Sequence, residues 1–177
     1  MKSLLLALGL ALCCFVQADD IRFEDFDHSL LPGQGFVVAT ATNCQKMEKM
    51  VTQMPLCPVS FAVLSDGKLE MTMDMRTPKG CKAMKVKIEK KDGVFVANCG
   101  RGGTKTVQYV NVSEKFVLFY MKITHPKGEC NIASAIVKDV AHTDEATAAL
   151  KIFGGRHGLG DKEVHRHPAE GTCPRSS

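Results

Sequence analysis

The sequence predicts an all-β fold, an eight-stranded antiparallel up-and-down β-barrel with one C-terminal α-helix packed outside it. Three observations carry this. Short β-rich segments, the clearest alternating apolar with polar residues, recur from residue 35 to residue 137, joined mostly by tight turns. The period changes to helical spacing once, after Thr143. Hairpin-linked strands of this number leave no exposed edge if the sheet closes on itself, as a barrel does.

The elements follow in order. Gly35 to Thr42 is β-rich, and Cys44 to Pro55 places Met47, Met50, Val51 and Met54 at helical spacing, which predicts a short amphipathic turn or lid. Pro58 to Leu64 reads as a strand, closed by a turn at Ser65-Asp66-Gly67. Leu69, Met71, Met73 and Met75 then alternate with Glu70, Thr72 and Asp74, the cleanest period-two pattern in the chain. After Pro78-Lys79-Gly80, Met84, Val86 and Ile88 alternate with Lys85, Lys87 and Glu89, and Asp92-Gly93 signals a hairpin into Val94 to Asn98. Gly100 to Gly103 breaks the run; Thr106 to Val112, Phe116 to Ile123 and Cys130 to Val137 complete the strands. Thr143 is the expected N-cap of the helix, about 143–154, whose apolar face is Ala146, Ala149, Leu150 and Phe153 and which Gly154-Gly155 ends. Residues beyond it read as a polar tail, 155–177.

Composition sets the class. The chain has 177 residues, 45% hydrophobic and 24% charged, which is globular and excludes a self-repelling disordered chain. Its 15 Gly and 7 Pro follow no period, which excludes a collagen-like chain. The net charge of +4 comes from scattered basic residues, with only Lys85, Lys87, Lys90 and Lys91 crowded together, so no nucleic-acid partner is expected. Residues 1–18 read as a secretory signal peptide: Lys2 supplies the positive start, Leu4 to Val16 the apolar stretch, and Val16-Gln17-Ala18 the cleavage spacing. The apolar run is too short to span a bilayer, so no stable membrane insertion is expected. Residues 19–177 are then a single secreted, extracellular domain with six cysteines, and an even count in an oxidising compartment favours disulfides. Sequence chemistry alone leaves fifteen pairings open.

This order of elements resembles the lipocalin family. Asp25-Phe26-Asp27 resembles the segment that closes one end of the lipocalin barrel, and Gly33-Gln34-Gly35-Phe36 stands where the family carries Gly-x-Trp. The spacing from Thr143 to Cys173 is similar to that of extracellular fatty-acid-binding lipocalins. The resemblance implies a disulfide between Cys81 and Cys173, and a barrel that encloses a small hydrophobic molecule such as a fatty acid, retinoid, steroid or odorant. It also implies candidate recognition by a cell-surface receptor, and a monomer or weak dimer. Three positions depart from the family. The tryptophan position reads Gly35, the Thr-Asp-Tyr motif reads Val110-Asn111-Val112, and the arginine that packs on that tryptophan reads Lys138. A cation has lost its aromatic face, so a different plug, Phe26 or Phe36, is expected at the closed end.

The candidate ligand pocket is the inward face formed by Leu69, Met71, Met73, Met75, Met84, Val86 and Ile88, because flexible, polarizable methionines suit an adaptable apolar site. Met47, Met50 and Met54 are the candidate lid; the alternative for both sets is plain packing of a filled barrel that serves protein interaction. Cys57 stands where the prostaglandin-isomerising lipocalins carry their nucleophile, which makes a Cys57 isomerase the enzymatic alternative to a non-enzymatic carrier. Val37, Val59 and Met73 replace the hydroxyl neighbours that would serve it, and the compartment favours Cys57 in a disulfide with Cys44, Cys99 or Cys130. His157, His165 and His167 lie close in sequence, but a Gly- and Pro-bearing tail is a poor metal scaffold, so neither metal nor cofactor is expected. Lys85 and Lys87 are expected to face solvent. Asn111-Val112-Ser113 is an N-glycosylation sequon.

Overall fold

Alternating side chains let a strand bury one face while wetting the other, and the computed structural model of the chain shows this where Phe95 and Ala97 are buried between the more exposed Val94 and Val96. It describes residues 19–98 and 103–176. The leader, Cys99 and most of the Gly100 to Gly103 break lie outside the described residues. The strands are β1 (Ile21–Arg22), β2 (Gln34–Thr42), β3 (Cys57–Val63), β4 (Leu69–Thr77), β5 (Gly80–Lys91), β6 (Val94–Asn98), β7 (Thr104–Val112), β8 (Phe116–His125), β9 (Gly128–Val137) and β10 (Val164–Arg166). The helices are α1 (Gln45–Gln53) and α2 (Thr143–Arg156).

Strands β2 to β9 pair antiparallel with their sequence neighbours, and β9 pairs with β2. The expected eight-stranded up-and-down barrel is therefore closed. The β5–β6 hairpin turns through Asp92 and Gly93, both with positive φ (50° and 85°), the conformation a two-residue turn between twisted strands needs. Two bulges, between Val37 and Ala39 and between Val107 and Tyr109, shift the register locally.

The apolar residues form two layers. Inside the barrel, Val37, Val59, Leu69, Val107, Phe119 and Ile136 pack together with Phe23 and Phe26. A 3₁₀ turn, Phe23–Asp25, carries Phe23 against Phe95, with ring centroids 5.1 Å apart. Outside, Ala146, Leu150 and Phe153 of α2 are fully buried against a wall that includes Val38, Leu118 and Ala135. Burial of each large side chain there contributes about 1.5–3 kcal/mol. Of the two expected plugs, Phe26 lies in the interior cluster, while Phe36 packs on the outer one.

The structure corrects three local expectations. Thr143 is the first residue of α2 rather than its cap: a 3₁₀ turn, Val140–His142, precedes it, capped by Asp139, whose side chain accepts from the Ala141 amide. The helix runs through Gly154 and Gly155 to Arg156, and the residue with positive φ beyond it is Gly158 (82°). The tail is not merely polar coil, because β10 adds to β2 where β3 has left it, pairing Val164 with Ala41. Among the described residues, no helix is long and apolar enough to cross a membrane.

Candidate functional site: the barrel cavity

The cavity is built from the alternation on β4 and β5. Their register sets Leu69 opposite Ile88, Met71 opposite Val86 and Met73 opposite Met84. These residues, with Met75, line an interior cavity of about 360 Å³. That volume lies at the low end of ordinary small-molecule sites, roughly 300–1,000 Å³. Helix α1 turns Met47, Met50 and Val51 toward the same space, Met54 follows at its end, and β8 adds Met121. Every methionine from residue 19 onward therefore borders this one cavity.

The root of α1 is held covalently. Cys44, its N-cap, is bridged to Cys130 of β9, and the Asn131 amide donates to Asn43 Oδ1 at 2.7 Å. The second disulfide joins Cys81 of β5 to Cys173 in the tail.

Polar groups reach the lining at four positions, Thr40, Ser134, Lys85 and Lys105. Lys85 borders the space, but its side chain is largely exposed, with Nζ 3.5 Å from Glu70 Oε1, so it keeps the outward position that alternation predicts. Lys105 differs. It stands two residues before Val107, a member of the interior cluster, and no carboxylate lies within ion-pairing distance of it among the described residues. Sequence reading missed it because β7 begins at Thr104, two residues earlier than the alternation suggests, and its flanking threonines hide the inward position.

Cys57 does not line the cavity. It is 2% exposed, pairs in register with Val37, and is free, which overturns the expectation that it is bridged. Its Sγ donates to the Asp74 carbonyl at 3.4 Å. Burial, reinforced by the Asp74 charge, pushes the thiol up to about 11. A nucleophilic cysteine needs the opposite environment, accessible and electropositive.

The histidines are dispersed among separate roles. His157 stacks between Tyr109 and Tyr120, at 4.4 and 4.7 Å, and contacts Asp20 at 3.0 Å. His167 is buried with Nε2 2.9 Å from Thr40 Oγ1. Among the described residues, no three His, Cys, Asp or Glu side chains are grouped to hold a metal. Asn111 of the sequon is 7% exposed and its Nδ2 donates to Asp20 Oδ1 at 3.0 Å, so a glycan there would displace this contact.

An eight-stranded closed barrel with an external helix and an internal apolar cavity is the lipocalin architecture, and the chain has the lipocalin fold. No family model matches the sequence. The chain is 21% identical over 174 residues to extracellular fatty acid-binding protein of Coturnix japonica, covering 98% of this chain and 97% of that one. It is 29% identical over 155 residues to late lactation protein B of Notamacropus eugenii, covering 86% and 84%. Among solved structures, the bovine lipocalin allergen Bos d 2 superposes with a TM-score of 0.69 at 19% identity, covering 85% of this chain and all of that one.

Proposed function

We propose that this protein is a secreted carrier that binds a small hydrophobic molecule inside the barrel. The observation that carries the reading is the cavity of about 360 Å³, walled by methionine, leucine, valine and isoleucine. Apolar ligand surface moved into it would gain about 25 cal/mol per Å², before the cost of ordering the ligand. A barrel serving only as an interaction module needs no such space. Relatives whose names include fatty-acid binding and lactation support both the ligand class and the extracellular setting. The buried, unactivated Cys57 thiol favours a carrier over an isomerase.

Lys105 refines the ligand. A lysine on the inward side of its strand, without a carboxylate partner among the described residues, favours a ligand with an apolar body and an anionic head, such as a fatty acid, over a neutral steroid or odorant. Titration of delipidated protein with a long-chain carboxylate and with the matching alcohol tests both levels. The carboxylate should bind more tightly, and Lys105→Met should abolish the difference while both still bind. Met73→Glu should abolish uptake of either while leaving secretion intact. Uptake unchanged in Met73→Glu would refute the pocket assignment.

A further inference from the structure

All eight methionines of residues 19–177 border one cavity. Eight leucines, valines or isoleucines in their place would be chemically inert, whereas a thioether is not. The eight are unequally exposed. Met50 on α1 and Met84 on β5 are 44% and 41% exposed, while the others are at least partly buried. Met84 stands directly opposite Met73 in the β4–β5 register, so its sulfur belongs to the wall against which an apolar ligand would lie.

We propose that Met50 and Met84 are sites of oxidative modification, and that their sulfoxides lower the cavity's affinity for its apolar occupant. The proposal rests on the carrier reading and adds a means of release to it. With hydrogen peroxide as the oxidant, a sulfur lone pair attacks one peroxide oxygen. The S–O bond forms as the O–O bond breaks, the sulfur is oxidised by two electrons, and the departing hydroxide takes the proton of the oxygen now on sulfur to become water. The product is a polar sulfoxide in place of a flexible apolar thioether. Its oxygen is an acceptor that an apolar ligand cannot satisfy, so binding would desolvate it without compensation. Cys57 does not compete, since its buried thiol is protonated and the thiolate is the reactive form.

The test uses the full, disulfide-bonded chain, delipidated and treated with hydrogen peroxide until peptide mass mapping shows one added oxygen on Met50 and on Met84. N-phenyl-1-naphthylamine, a neutral fluorescent probe, is titrated before and after treatment. The expected result is about a tenfold rise in Kd after oxidation, with the circular dichroism of the fold unchanged and the affinity restored by methionine sulfoxide reductase. The Met50→Leu/Met84→Leu double variant conserves volume and apolarity, and should keep its affinity through the same treatment. An unchanged Kd with both sulfoxides present would overturn the proposal alone, as would an equal loss in the double variant. Failure of the untreated protein to bind any apolar probe would overturn the carrier reading first and this proposal with it.

Discussion

Arg175 lies over the ring of Phe36, its guanidinium carbon 5.0 Å from the ring centroid. Its two terminal nitrogens donate to the carbonyls of Val59, at 3.0 Å, and Gly35, at 3.1 Å. Those two residues are paired across β2 and β3, so one side chain from the tail caps both members of a strand pair and covers an aromatic face. The lipocalin arrangement of a cation on a tryptophan is thus replaced by residues from other positions. A Cβ at position 35 would meet the Val137 carbonyl oxygen at 2.7 Å, so glycine is required there and the ring sits one residue later, on the outer face.

Arg175→Ala should therefore destabilise the fold by about 1–3 kcal/mol, through two lost hydrogen bonds and a lost cation–π contact. Arg175→Lys should recover less than half of this, because a single ammonium cannot reproduce a planar fork that serves two carbonyls while stacking on a ring. Denaturant unfolding with both disulfides intact measures it. A lysine variant as stable as the wild type would show that only the charge matters.

Cys57 should be inert in the native protein. Alkylating reagents at mildly alkaline pH should leave it unmodified until denaturant is added, and Cys57→Ala should leave ligand affinity unchanged. The sign of its titration is fixed by burial. A thiol raised from 9.0 to about 11 stays protonated in the folded state while the unfolded chain ionises, so its contribution to stability is complete below about pH 9 and is lost as pH rises toward about 11. Rapid labelling of folded protein would restore the enzymatic alternative.

Much of the fold was legible because it is local. Period-two alternation on β4 and β5 displays the register of neighbouring strands directly, and Asp92-Gly93 encodes its own turn. What was not legible depends on distant partners. β10 is three residues long and exists because β2 offers a vacant edge 123 positions earlier, at the Val164–Ala41 pair. The Thr143 cap failed because Asp139 starts an additional turn upstream, a choice between two adequate capping residues. Arg175 finds Gly35 across 140 positions, and no spacing rule announces such a contact. The methionine wall was visible in the alternation, whereas Lys105 was not, since one charged residue at a strand end reads equally well as surface.

His167 makes the barrel wall acid-sensitive. It is 2% exposed, its Nε2 is bonded to Thr40, and its Nδ1 has no partner, so protonation would place a charge in an apolar setting without compensation. Burial, with a smaller contribution from nearby His165, holds its pKa down at about 4 against 6.5 in the unfolded chain, opposed by the nearby Met54 backbone. The unfolded state therefore binds the extra proton first. The stabilisation is complete above about pH 6.5 and is lost as pH falls toward about 4, a change of roughly 3 kcal/mol. Because Thr40 also borders the cavity and Met54 ends the helix over it, the loss should be felt at the ligand site as well as in global stability. Unfolding free energies measured across this pH window should fall steeply in the wild type. In His167→Asn the starting stability is expected to be lower, but the slope should be shallower, because the group that takes up the proton is gone. Equal slopes in the two proteins would assign the acid sensitivity to the carboxylates, foremost Asp20, whose hydrogen bonds from Arg156, Asn111 and His157 outweigh its burial and hold its carboxyl below the ordinary range.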